Sequence, residues 1–279
     1  MTQNNLILSR NNQKSIIFDL IYKKTGNPKP LVFFCHGYKG FKDWGAWNLV
    51  ANSFMEADCF FVKFNFSHNG GTMEQPIDFP DLEAFAENNY SKELQDLDDM
   101  INHILSSEVY KNEIDTSKII LIGHSRGGGI VTIKASEDPR VTKLITWAGV
   151  CDFGKRMGTT EEQEVWQRDG VKYVMNGRTK QQMPHYYQFF EDFKSNEARL
   201  HIETATKRLL IPHLIIHGTK DPAVSFTEAE ALHGWNPKSE LHPITDSDHV
   251  FGARHPWEND FLPVDLEAVT RKSIDFSRA

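Results

Sequence analysis

Ser125 stands in the run Ile120-Leu121-Ile122-Gly123-His124-Ser125-Arg126-Gly127-Gly128-Gly129. The apolar residues before it read as a buried strand, and Ser125 to about Ala135 reads as a helix. The pattern G-x-S-x-G therefore falls where a strand must turn sharply into a helix. Such a turn pushes the serine Oγ out above the sheet and crowds the positions two residues to either side. Gly123 and Gly127 remove the side chains that would collide there. The helix N-terminus below adds free N–H groups and positive potential, which suit a developing oxyanion. The chemistry this setting serves is nucleophilic attack by a hydroxyl on a carbonyl carbon.

A serine hydroxyl needs a base to take its proton, and the base needs a carboxylate to orient it. For a nucleophile on such a turn the partners follow in the order acid, then histidine, in loops after later strands. Leu214-Ile215-Ile216-His217-Gly218-Thr219-Lys220-Asp221-Pro222 supplies Asp221 in a turn beyond a strand. Asp152, after the preceding strand, is a rival acid that could equally cap a helix. Asp221 is the favoured choice. His249, in Thr245-Asp246-Ser247-Asp248-His249-Val250-Phe251, follows the last strand by a short polar loop and is the expected base. His242 and His255 read as packing or surface histidines. Two backbone amides are expected to hold the oxyanion: Arg126 N–H, next to the nucleophile, and Tyr38 N–H, in the loop His36-Gly37-Tyr38-Lys39-Gly40.

Other constellations point elsewhere or nowhere. His213 and His217 are four apart but lie on a predicted strand without a third ligand, so no metal is expected. No lysine at Walker spacing follows the triple glycine, and no G-x-G-x-x-G follows the early strand, so no nucleotide cofactor is expected. Glu161 and Glu162 could hold a substrate amine, but a solvated helix face is the better reading.

The elements that must position these residues alternate. Asn5–Ser9 and Ser15–Tyr22 suggest an edge hairpin. Strands follow at Leu31–Cys35, Cys59–Phe66, Lys118–Ile122, Lys143–Ala148, Pro212–His217 and Glu240–Thr245. Helices are expected at Trp47–Met55, Ser91–Leu105 with Ser91 as N-cap, Phe226–His233 and Asp265–Phe276. Near-continuous apolar strands alternating with helices predict an α/β fold, a mostly parallel twisted sheet covered on both faces. About 60 residues separate the strands ending near Ala148 and starting near Pro212, far beyond an ordinary connection. This aromatic-rich stretch, at about 152–208, is expected to form a helical cap within a single domain spanning 1–279.

Composition is that of a soluble globular protein with enough apolar side chains for a large core. Apolar residues make up 39% and charged residues 25%. A net charge of −7 argues against nucleic acid or anionic lipid as partner, and no apolar run is long enough to span a membrane. The polar start predicts no signal peptide. Three widely spaced cysteines, Cys35, Cys59 and Cys151, predict a reducing, cytoplasmic setting without a disulfide framework. Oligomeric state is not legible.

The ordered set His36-Gly37, Gly123-x-Ser125-x-Gly127, Gly218-x-x-Asp221 and Asp248-His249-x-Phe251 resembles the α/β-hydrolase superfamily. Within it, the esterase branch near dienelactone hydrolase, cinnamoyl esterases and prolyl oligopeptidase-like catalytic domains is the most similar. The resemblance implies Ser125 as nucleophile, Asp221 as acid, His249 as base and the Tyr38 and Arg126 amides as oxyanion hole. Two positions depart from it. Dienelactone hydrolases carry a cysteine where Ser125 stands, and Ser67-His68-Asn69-Gly70-Gly71 replaces an Arg-Gly pair common among relatives. The expected reaction is hydrolysis of a small or medium carboxylic ester without cofactor. The same triad would also serve a thioesterase, an amidase or an exopeptidase. A ligand-binding protein that keeps the fold without chemistry is the alternative of another class.

Overall fold

The computed structural model describes residues 1–279. Ten strands and nine α-helices alternate along the chain. The edge hairpin forms as β1 (Thr2–Arg10) and β2 (Gln13–Ile21), paired antiparallel. β2 joins β4 (Phe60–Phe64) antiparallel, and within this main sheet every pairing from β4 onward is parallel. The remaining strands of the main sheet are β3 (Lys29–Cys35), β5 (Ile114–His124), β6 (Val141–Trp147), β9 (His213–Gly218) and β10 (Glu240–Ile244). Across the eight-stranded sheet the order is β1-β2-β4-β3-β5-β6-β9-β10.

Strand residues alternate between two apolar layers, as a two-residue repeat requires. Leu31, Phe33, Val62, Ile119 and Leu121 face one layer with α3 (Tyr90–Leu105), α4 (Arg126–Glu137) and α8 (Phe226–Trp235). Val32, Phe34, Phe61, Ile120 and Ile122 face the other, under α1 (Trp47–Glu56) and α9 (Val264–Arg278). Both faces are thus covered, which is why these strands read as unbroken apolar runs. No helix is long and apolar enough to cross a membrane.

Three differences from the sequence expectation stand out. The N-cap of α3 is Asn89, whose Oδ1 accepts from Lys92 N at 2.9 Å; Ser91 falls inside the first turn. A five-residue helix, α2 (Leu82–Ala86), capped by Asp81, was not expected. The stretch between β6 and β9 is not purely helical. It holds a short 3-10 turn, α5 (Thr160–Asp169), a hairpin of β7 (Val171–Met175) and β8 (Gln182–Tyr186), α6 (Gln188–Ser195) and α7 (Ile202–Arg208).

A charged cluster pins the loop that leaves β3. Asp19 on β2 and Lys63 on β4 are cross-strand partners, buried together with Lys42 from that loop. Lys42 Nζ reaches Asp19 Oδ2 at 2.8 Å, and both lysines also bind Asp43. Burial alone would raise the Asp43 carboxyl, but the two ammonium groups hold it below its ordinary range.

Candidate active site

β5 ends at His124 and α4 begins at Arg126, so Ser125 alone makes the turn, at φ 56° and ψ −120°. That is a strained conformation for a residue with a Cβ. The backbone around it is tied down: Ser125 N–H donates to Trp147 O at 2.9 Å, and Ser125 O accepts from Gly128 N and Val150 N. The flanking glycines are sterically required. A Cβ on Gly123 would run into the Gly127 carbonyl and Val131, and one on Gly127 would meet the carbonyls of Cys35 and His36. A Cβ on Gly37 would come within 2.8 Å of Ser125 Cβ, so the β3 loop lies directly against the turn.

Asp221 and His249 meet although they lie in different loops. His249 Nδ1 donates to Asp221 Oδ2 at 2.7 Å. Oδ1 of Asp221 accepts from Ala223 N at 2.8 Å and Val224 N at 2.9 Å. The aspartate side chain is fully buried. Burial opposes its charge, yet the bonds from His217, His249 and Val224 outweigh it and hold the carboxyl well below the usual range. The two loops are stitched by Lys220 N–H to Ser247 O and Asp246 N–H to Thr219 Oγ1. A donated Nδ1 proton leaves His249 Nε2 free to accept.

A cavity of about 470 Å³ brings the pieces together. Ser125 and His249 both line it, with the side chains of Tyr38 and Arg126. No hydrogen bond joins the Ser125 hydroxyl to the His249 ring here. The amide of Tyr38 has no backbone partner, and that of Arg126 belongs to the first turn of α4, whose N–H groups a helix leaves unpaired. Asp152 is elsewhere: its Oδ1 accepts from Gly154 N at 2.7 Å, at the start of the 3-10 turn. Glu161 and Glu162 lie on an exposed helix face, where Glu162 completes a capping box with Thr159.

Several contributors were not apparent from the sequence. His217 Nε2 lies 3.2 Å from Asp221 Oδ2 and also contacts Val224 O, so it supports the acid as well as packing. His124 Nε2 lies 2.9 Å from His249 O and fixes that loop; burial and the neighbouring His249 lower its pKa to about 3, so it is neutral. The Arg126 guanidinium projects over the Tyr38 ring, 4.3 Å from its centroid, and pairs with buried Glu93 at 3.2 Å. The β7/β8 hairpin reaches the same cavity through Lys172, Val174 and His185. The Tyr38 hydroxyl bonds His185 Nε2 at 3.0 Å, and Trp166 Nε1 donates to His185 O at 2.8 Å. An Asn176-Gly177 pair directly after Met175 was the available turn signal.

Residues 80–253, more than half of the chain, match the family model for the alpha/beta hydrolase fold. The chain belongs to the α/β-hydrolase family. This α/β hydrolase is similar over nearly its whole length to several solved structures. One is a putative hydrolase from Agrobacterium vitis S4, at 17% identity, covering 99% of this chain and 98% of that one, TM-score 0.72. Another is Est1E from Butyrivibrio proteoclasticus, at 15% identity, covering 98% and 97%, TM-score 0.68. DcsB in complex with its substrate analogue is 15% identical, covering 100% and 99%, TM-score 0.74. At such identities these likenesses establish the shared fold. A search of curated proteins finds no match.

Proposed function

We propose that this α/β hydrolase cleaves a small or medium carboxylic ester through an acyl-enzyme. The observation that carries the reading is the 2.7 Å bond from His249 to buried Asp221, with His249 and the turn residue Ser125 on the wall of one cavity. Ser125 Oγ attacks the carbonyl carbon while His249 Nε2 takes its proton. Asp221 holds the imidazole in the tautomer that can accept and stabilises the cation that forms. The Tyr38 and Arg126 amides receive the oxyanion, which the first turn of α4 also favours. His249 then protonates the leaving alcohol, and water activated by the same ring releases the acid. The Ser125–His249 hydrogen bond closes on substrate binding, as catalytic bonds commonly tighten in the bound complex.

The segment 152–208 serves as the cap, roofing the nucleophile with the β7/β8 hairpin and α6. Similarity to Est1E, for which a structure with ferulic acid bound is known, and to the esterase domain of a Rhodothermus marinus protein favours esters. An exopeptidase that holds a free amine is less well supported, because no aspartate or glutamate lines the cavity. Ser125→Ala is expected to abolish hydrolysis of p-nitrophenyl butyrate and labelling by a fluorophosphonate, with the unfolding midpoint preserved. Undiminished turnover by purified Ser125→Ala protein would refute the mechanism.

A further inference from the structure

The charge balance of the cavity opposes that of the chain. The sequence carries a net charge of −7, yet four cationic side chains line the cavity and no carboxylate does. Two of the four are neutralised from behind: Arg126 by Glu93 at 3.2 Å and Arg156 by Glu228 at 2.7 Å. Lys39 and Lys172 have no carboxylate partner. Lys172 Nζ rests 3.5 Å from the Trp166 ring centroid. Lys39 Nζ donates to Met175 O at 3.3 Å and lies 5.0 Å from the Tyr38 ring centroid. The two come from different elements, Lys39 from the loop after β3 and Lys172 from β7, and the bond to Met175 O holds the Lys39 ammonium against that same strand.

Both ammonium groups are partly buried and share one cavity with a guanidinium. Burial lowers the pKa of each and the charge of Arg126 adds to it; for Lys172 the carboxylate of Glu162 acts the other way without forming an ion pair and does not offset the burial. His185, which lines the same cavity, feels the same field: burial first, then Arg126 and Lys172, bring its pKa to about 3. A bound anion would relieve this repulsion, and a low-dielectric cleft strengthens its attraction. Apolar side chains including Val150, Met157 and Val224 line the cavity alongside the reactive pair.

We propose that the substrate is an anionic ester, carrying a carboxylate or phosphate that Lys39 and Lys172 receive while an apolar spacer crosses to the scissile carbonyl at Ser125. The proposal rests on the serine-hydrolase reading for its reaction and on the two unpaired lysines for its substrate class. No new bond chemistry is required: the anion orients the ester and leaves unchanged.

The test compares mono-p-nitrophenyl glutarate with neutral p-nitrophenyl butyrate, alongside thermal unfolding with free glutarate or inorganic phosphate. The anionic ester is expected to show a kcat/KM roughly tenfold or more above the neutral one, mainly through KM, and the ratio should fall as salt is raised. Lys172→Met and Lys39→Met should each lower that ratio, and Lys172→Arg should restore most of it. Glutarate or phosphate should raise the unfolding temperature of the wild type more than that of the Lys39→Met/Lys172→Met double variant. An anionic-to-neutral ratio at or below one overturns the proposal, as does equal stabilisation of wild type and double variant. Turnover of neither ester counts against the serine-hydrolase reading instead, and the unfolding shifts then decide the anion site alone.

Discussion

His36 shows how one side chain ties the β3 loop to a narrow range of conditions. Its Nδ1 lies 2.9 Å from Gly37 O, and its Nε2 accepts from Phe66 N–H at 3.2 Å. Only the neutral ring with its proton on Nδ1 satisfies both partners. Burial is the main force lowering its pKa, and with the charge of Arg126 brings it to about 4 despite the bond to Gly37. An unfolded histidine titrates near 6.5. Between those values the unfolded chain binds more protons, so stability is complete above about pH 6.5 and declines as the pH falls toward 4. For this group the decline is on the order of 3 kcal/mol. Urea titrations of wild type and His36→Asn at pH 7, 6 and 5 are expected to show a flatter profile for the variant; parallel profiles would remove His36 from the account. The importance of His36-Gly37 was visible in the sequence, since a loop after the early strand was needed beside the nucleophile. The tautomer was not, because it depends on Phe66, which the chain reaches only after another helix and strand.

At the scale of elements, the strand-turn-helix around Ser125 was legible because its constraints are local. Glycine at 123 and 127 is demanded by atoms a few residues away and by the neighbouring strand end. Gly127→Ala would drive a methyl into the Cys35 and His36 carbonyls, 2.7 Å away in the latter case. Such overpacking costs about 1–3 kcal/mol, and the shift falls on the loop bearing Tyr38. The expected result is a lower urea midpoint with fluorophosphonate labelling slowed by more than tenfold. Gly177→Ala, at a site with no atom within 4 Å of the new methyl, serves as the control. The hairpin of β7 and β8 was harder to read. Its strands are short, Pro184 interrupts the second, and its partners are aromatic residues of an insertion whose fold depends on docking. His185, buried against Tyr38 and Phe85, takes its place only once that docking exists. The pairing of Arg126 with Glu93 on α3 was hidden for the same reason: it joins residues that local periodicity cannot connect.

Across the whole molecule, the buried cluster of Asp19, Lys42, Lys63 and Asp43 joins the edge hairpin, β4 and the loop after β3. Buried ions are weak evidence for net stability, but removing one member leaves its partner undercompensated. Lys63→Met is therefore expected to cost about 3–5 kcal/mol, read as a fall in the urea midpoint. An unchanged midpoint would show that the cluster is dispensable. The backbone contact between Gly37 and the Ser125 turn carries a different consequence. Gly37 rests there against Ser125 Cβ and the His124 carbonyl, and position 37 has no room for a side chain. Room for substitution around the same hollow lies instead in side chains such as Lys39 of the β3 loop and Lys172, Val174 and Phe189 of the excursion between β6 and β9. Directed diversification of the hollow therefore belongs at those side chains, with the glycine contacts left untouched.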